Sequence, residues 1–481
     1  MPKNRKCRSY KNGMFLLVVI AASLASWIKC NQADKNRQNE VTFDYLDDDR
    51  DHAKAIAIDQ DGSIYVTGAS NSGETMYDYA TLKYDPDGTS IWVSRYDGPV
   101  NGQDISTSIS VDKAGNVYVT GRSDGGDTSS DYTTVAYDKN GILRWVRRYN
   151  GPGNGDDRAT SMITDGKGNV YVTGRSHGEE TSYDYATVKY DQAGMVVWIE
   201  RYNGPGNGDD IASAITIGVD GNIYVTGRSF GENSNYDYAT IKYSSDGTRL
   251  WVTRYNGPGN GEDHATSIAV NCRGNIYVTG TSVGDGTGFD WATIAYDSDS
   301  NVLWSARYNS EGSGWDGADA IAVDTNGNTF VTGYGGKARD YTTIKYDSGG
   351  SELWVKKYNG KGNATDVTTD IALDDNGNAY VTGYCNNGIS YADYVTIKYD
   401  PAGRLLWLAE YNGPGNSEDR PRAISLDERE NVYLTGESLD SITDFDFATI
   451  KYDKDGNQLW VARYDHGVYQ ARSRRKSNQN R

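Results

Sequence analysis

The sequence repeats one unit eight times. Tyr-Val-Thr-Gly begins at Tyr65, Tyr118, Tyr171, Tyr224, Tyr277 and Tyr380, and its variants begin at Phe330 and Tyr433. The step is 53 residues throughout, except for 50 between Phe330 and Tyr380. A tryptophan marks each unit a second time, at Trp92, Trp145, Trp198, Trp251, Trp304, Trp354, Trp407 and Trp460. A chain repeating at this period stacks identical modules, each of which buries its apolar faces only against its neighbours.

Four short runs make up each module. In the fourth they are Ala212 to Ile217, Asn222 to Arg228, Asp237 to Tyr243 and Arg249 to Tyr255, each rich in β-branched and aromatic residues. Val219-Asp-Gly-Asn222 separates the first two and Ser244-Ser-Asp-Gly247 the last two, and both offer the Asp or Asn with Gly that tight hairpins need. No run carries a helical stripe. The expected fold is therefore all-β: a single β-propeller of eight blades, each of four antiparallel strands, spanning 52–465. Seven blades plus one extra unit is the alternative. The segment Val41 to Tyr45 resembles the end of a fourth strand and suggests closure of the ring by the lead-in, 26–51.

Composition narrows the rest. With 56 Gly, 38 Tyr, 11 Trp and only 9 Pro in 481 residues, the chain is neither disordered nor collagenous. A mean hydropathy of −0.69 excludes a multi-span membrane protein. The one apolar run, Met14 to Ile28, follows Lys3, Arg5, Lys6, Arg8 and Lys11 and reads as a signal peptide over 1–25, with Ser23 and Ala25 at the cleavage positions. Export to the periplasm, cell surface or medium is expected, with no membrane span in the mature chain. Lipoprotein anchoring at Cys30 is the alternative, against which Lys29 argues. The last residues, 466–481, form a basic tail expected to be disordered. A net charge of −18, deeper still once leader and tail are set aside, makes nucleic acid an improbable partner. Cys272 and Cys385 stand at different repeat positions, so a bridge between them is not expected.

Units reading Gly-Asn-x-Tyr-Val-Thr-Gly, Asp-Tyr-Ala-Thr-x-Lys-Tyr-Asp and Trp-x-x-Arg-Tyr-Asn-Gly resemble the bacterial β-propeller repeats called SBBP repeats, from about His52 to Tyr464. That resemblance implies a propeller of an exported or surface protein and no particular activity. Lys-Tyr-Asp-x-x-Gly-x-x-x-Trp, as at Lys83 to Trp92, is also similar to the tryptophan-docking motif of PQQ-type eight-bladed propellers. The adjacent cysteine pair seen near the cofactor in many quinoprotein alcohol dehydrogenases is absent here.

Three groups of residues are candidate sites. The eight tryptophans are expected to pack blade against blade. Asp59 and Asp61, like Asp374 and Asn376, stand in turns that resemble the start of a calcium loop, without the Glu that would complete one. Two sets of repeated aspartates, from Asp104 to Asp419 and from Asp78 to Asp446, share one face, where like-charge repulsion is expected to raise their pKa values. They serve either to close turns or to draw a cation.

Departures from the repeat point more directly to binding. After the first aspartate of each unit come His52, Ile105, Arg158, Ile211, His264, Gly317, Val367 and Arg420, so that two His and two Arg stand at the mouth of the central channel. In units five to seven, Trp291, Trp315, Lys337 and Arg339 are expected to form an exposed recognition patch. No catalytic constellation is present: neither a nucleophile elbow, nor a zinc-protease helix, nor a phosphate loop. The expected function is that of an exported, non-catalytic module binding a protein or glycan, without a cofactor, calcium apart. A quinoprotein-like or glycan-cleaving enzyme using the central channel is the alternative.

Overall fold

The computed structural model describes residues 50–71, 76–311, 315–361, 364–386, 391–440 and 444–466. They form eight four-stranded antiparallel sheets, each built from consecutive strands of one unit. The blades span 51–96, 104–149, 158–202, 210–255, 263–308, 317–358, 366–411 and 419–464. In blade 4 the strands are Asp210–Ile217, Ile223–Phe230, Tyr236–Tyr243 and Arg249–Tyr255, within two residues of the sequence reading at every end. The first strands of successive blades touch all the way round, including blade 8 to blade 1, so they form the ring nearest the axis.

Burial follows position in the blade. The second strand, such as Ile64–Asn71, is buried on both faces because neighbouring sheets cover both. That explains why Tyr-Val-Thr-Gly shows no polar alternation. The fourth strand, such as Ser90–Tyr96, lies at the rim of the disc and is largely exposed. Each first strand carries a bulge that brings its backbone against the glycine of the motif. A Cβ on Gly68 would lie 1.9 Å from the His52 carbonyl oxygen, so only glycine permits that approach. The motif threonine is paired across strands, Thr67 Oγ1 to Thr81 Oγ1 at 3.2 Å, and the pair recurs in all eight blades.

The tryptophans join the blades. Trp145 Nε1 donates to the Gln192 carbonyl of the next blade at 3.2 Å, and its ring lies against Gly194, where a Cβ would meet Cδ2 at 2.7 Å. Trp460 repeats this contact onto Pro86 O at 3.1 Å, so the junction of blade 8 with blade 1 is built like the others. The indole hydrogen bond forms at seven of the eight junctions and at the eighth Trp304 packs its ring on Gly350 with Nε1 unpartnered, so no unit is set apart and the seven-blade alternative is excluded. Blade 8 keeps Gln458–Tyr464 as its own fourth strand, so the closing segment does not displace it. Val41 to Tyr45, the signal segment, Cys30 and the C-terminal tail beyond His466 lie outside the described residues. Cys385 is a free, buried thiol. No helix among the described residues is long and apolar enough to cross a membrane.

Candidate functional site

Strand direction puts the hairpin turns of each blade on one face. The opposite face carries the loops between second and third strands and those between blades. Both candidate turns lie on the first of these faces. Asp59 Oδ1 accepts the amides of Asp61 and Ser63 while Oδ2 accepts the Tyr65 hydroxyl. Asp374 accepts the amides of Asn376 and Asn378, the Asn378 side-chain amide and the Tyr380 hydroxyl. These oxygens already close the turns.

The repeated aspartates of the loop face are equally engaged. Asp210 accepts the amide of Gly204 at 2.5 Å and that of Phe230 at 3.1 Å, tying the inter-blade loop to the blade it enters. Its carboxyl is pushed up to about 6, as are those of Asp104 and Asp419. Burial is the main cause, so the expected like-charge repulsion is only a minor contributor. In six blades the third-strand aspartate receives an arginine from the fourth strand of its own blade, whereas blade 6 has Lys357 in that position. Arg254 Nη2 reaches Asp237 at 2.8 Å, while Nη1 donates to Ser229 Oγ and to the Tyr202 hydroxyl of the preceding blade. The knot recurs with Arg95, Arg148, Arg201, Arg307 and Arg463. Blade 7 rebuilds it: Glu410 stands in the arginine position and Cys385 in the serine position, with Lys361 Nζ 3.2 Å from Glu410.

Nearer the axis the repeat gives way to variation. The register sets the first-strand column directly opposite a second column, the residue after the motif glycine. The pairs are His52 with Ala69, Ile105 with Arg122, Arg158 with Arg175 and Ile211 with Arg228. They continue as His264 with Thr281, Gly317 with Tyr334, Val367 with Tyr384 and Arg420 with Glu437. Sequence reasoning singled out the first column and missed the second. The signal was legible, since only an unconserved position changes from Ala to Arg, Thr, Tyr and Glu within an otherwise fixed motif.

The predicted rim residues are each held locally. His52 and His264 lie in blades 1 and 5, opposite members of the ring. His52 Nδ1 is 2.5 Å from Glu437 Oε2, and Arg422 Nη2 is 2.6 Å from Glu437 Oε1, which ties blade 1 to blade 8. Burial alone would raise the Glu437 carboxyl, but Arg422, His52 and Lys54 hold it well below the usual range. Lys54 is itself lowered to about 8 by burial and by Arg422. His264 lies edge-on to Tyr236 at 5.7 Å and is pushed down to about 3 by burial and the Arg228 charge, so it is neutral at pH 7. Arg158 pairs with Asp156 at 2.7 Å and Arg420 with Glu418 at 2.9 Å.

The second predicted patch divides. Trp315 is exposed, packs on Phe289 at 5.3 Å and carries the exposed Arg339, whose Cζ also lies 5.4 Å from the Tyr334 ring centre. Lys337 is exposed beside them. Trp291 is not at the surface: it is 1% exposed and donates from Nε1 to Tyr334 O at 3.0 Å. It fills the position where other blades use a tyrosine to reach the next blade, as Tyr238 does to Ala292 O. The expectation of an exposed Trp291 is therefore corrected.

The model of the SBBP beta-propeller repeat matches residues 94–127, 144–179 and 356–389. The chain carries SBBP repeats. Within these repeats lie Arg122, Arg158, Arg175 and Tyr384 of the rim. No curated protein matches the sequence. Among solved structures, a eukaryotic initiation factor is 9% identical, covering 86% of this chain and 88% of its own, at a TM-score of 0.44. The β-propeller domain of the Trilobed protease from Pyrococcus furiosus is 11% identical, covering 73% and 97%, at 0.43. A protein of unknown function from Dyadobacter fermentans is 11% identical, covering 86% and 94%, at 0.38.

Proposed function

We propose that this SBBP-repeat propeller is an exported, non-catalytic binding module that engages a protein or glycan at the periplasm, cell surface or medium through the loop-face rim around its axis. One observation carries the reading. The positions that pack blades or close turns are repeated, whereas the two facing columns nearest the axis differ from blade to blade and hold arginine, histidine, tyrosine and glutamate. Architecture demands sameness in each blade; recognition of an asymmetric partner demands difference. The exposed Trp315 and Arg339, with the half-buried Phe289 beneath Trp315, extend the rim outwards with the aromatic and guanidinium groups that dominate interface energetics. No resident cofactor is part of this reading.

The test is to probe arrays of bacterial surface glycans and extracellular proteins with the exported protein and with a Trp315→Ala, Arg339→Ala variant. Binding lost in the variant but kept in an outer-strand variant such as Leu405→Ser supports the rim. Binding abolished by the outer-strand change and untouched at the rim refutes it. For export, the full chain expressed with its leader is expected to be recovered outside the cytoplasm beginning at Ser26.

A further inference from the structure

Arginine plays two roles in this molecule, and the contrast between them identifies the ligand class. Each of the six knot arginines is matched to its own buried aspartate at 2.7 to 2.9 Å. The rim arginines are not. Arg122 Nη2 donates to a neutral group, Gln103 Oε1, at 3.3 Å. Arg228 lies over the Tyr236 ring at 4.7 Å, with Nη1 3.4 Å from neutral His264. Arg175 shares a single carboxylate, Asp156, with Arg158. Of the acidic residues preceding blades 4 and 5, Asp209 accepts the Ser182 hydroxyl and Glu262 stands 3.7 Å from the neutral His264, and neither forms an ion pair with Arg228.

These three arginines occupy the same position in three consecutive blades, so the fold sets them side by side along one arc. Arg122 feels its neighbours: burial and then the Arg158 charge push it down to about 10, opposed by Asp156, with Arg175 adding to the lowering. Two are oriented before any ligand arrives, because the guanidinium planes of Arg175 and Arg228 lie 4.4 and 4.7 Å over the rings of Tyr183 and Tyr236. Their buried Nε atoms have no hydrogen-bond partner. An under-compensated row of part-buried forks is costly to maintain unless an anion completes it.

We infer that the rim of blades 2 to 4 binds an oxyanion-bearing ligand, with Arg122, Arg175 and Arg228 presenting guanidinium forks to carboxylate, phosphate or sulfate oxygens. The inference rests on the rim reading above and adds its ligand class. A planar guanidinium meets two oxygens of such a group at once, which a lysine cannot do. The acidic body disfavours a long polyanion such as nucleic acid and suits a compact anion or the end of an acidic saccharide.

The experiment titrates the exported protein with citrate, inorganic phosphate and tetragalacturonate against sodium chloride at matched ionic strength, read by calorimetry and by melting temperature. At least one oxyanion is expected to bind above the chloride control, and Arg122→Gln with Arg228→Gln is expected to weaken it at least tenfold, by about 1.4 kcal/mol. Arg249→Gln, on the exposed outer strand of blade 4, is expected to bind as wild type does. If the double variant does not fold, Arg228→Lys, which keeps the charge and loses the fork, is expected to show an intermediate loss. Tetragalacturonate binding more tightly than citrate and phosphate identifies an acidic saccharide as the source; the reverse order identifies a free small anion. Oxyanions indistinguishable from chloride, or unaffected by the double change, overturn the inference. A neutral glycan or protein bound at the rim independently of Arg122 and Arg228 removes this inference and leaves the rim reading standing.

Discussion

Replacing Glu437 by Gln tests whether ring closure depends on a buried charge. The Glu437 side chain is 3% exposed and accepts from His52 of blade 1 and Arg422 of its own blade, with Lys54 in their field. Glutamine keeps the size and removes the charge, leaving buried cations uncompensated at the junction of blades 1 and 8. Breaking such a cluster on one side costs about 3–5 kcal/mol. An unfolding entropy of about 2 cal/mol/K per residue over roughly 400 residues gives about 0.8 kcal/mol/K, so the melting temperature should fall by about 4–6 °C. The sign with pH follows from the depressed carboxyl. Its stabilisation is fully present above the unfolded value near 4.5 and is lost as pH falls through the lower folded value. The gap between wild type and variant should therefore persist from pH 7 to pH 5, narrow towards pH 8 as Lys54, near 8, loses its charge, and close in stronger acid. Scanning calorimetry across that range reads it, with Glu352→Gln on an exposed outer strand as the control. A shift below about 1 °C at pH 7, or a gap that widens in acid, would refute the closure argument.

Asp319 gives the opposite pH dependence. Burial raises its carboxyl to about 8, with only Thr368 Oγ1 donating at 3.2 Å, so the folded state loses stability as pH rises from about 4 to 8. Asp319→Asn should match wild type near pH 4 and exceed it by several kcal/mol at pH 8, at about 1.4 kcal/mol per unit of relieved shift; equal melting curves at both pH values would contradict this. At the blade junctions, Trp145→Ala should cost about 3–5 kcal/mol in denaturant unfolding. Gly194→Ala, at φ +78° and against the same ring, should also destabilise. Once the ring is gone the glycine change should cost less, so an additive double variant would disprove the contact. Because the turn carboxylates already accept amides, millimolar calcium should leave the melting temperature where chelator leaves it, and a clear rise would make those turns metal sites.

The blades were legible because period and turn chemistry agree in every unit. Asp-Gly and Asn-Gly fixed the hairpins, and the uniform tryptophan spacing gave the docking between blades. Trp291 misled because a tryptophan replacing a tyrosine looks like a surface novelty in sequence, whereas the position it fills reaches into the next blade. The second rim column was missed for a related reason. Arg122, Arg175 and Arg228 sit inside the most regular strand of the unit, and only the pairing register shows that they stand opposite Ile105, Arg158 and Ile211 at the axis. The pKa pattern of the aspartates was equally out of reach, since burial, which dominates it, is a property of neighbouring blades.

Amide hydrogen exchange, measured with and without a saturating amount of whichever of the three oxyanions binds most tightly, tests the central claim most directly, namely that the variable rim and not the repeated turns receives the ligand. The account predicts slowed exchange in the second strands of blades 2, 3 and 4 and in the loops that follow them, with the opposite-face turns around Asp59 and Asp374 unchanged. Slowing confined to those turns or to the outer strands, or none anywhere, would contradict it.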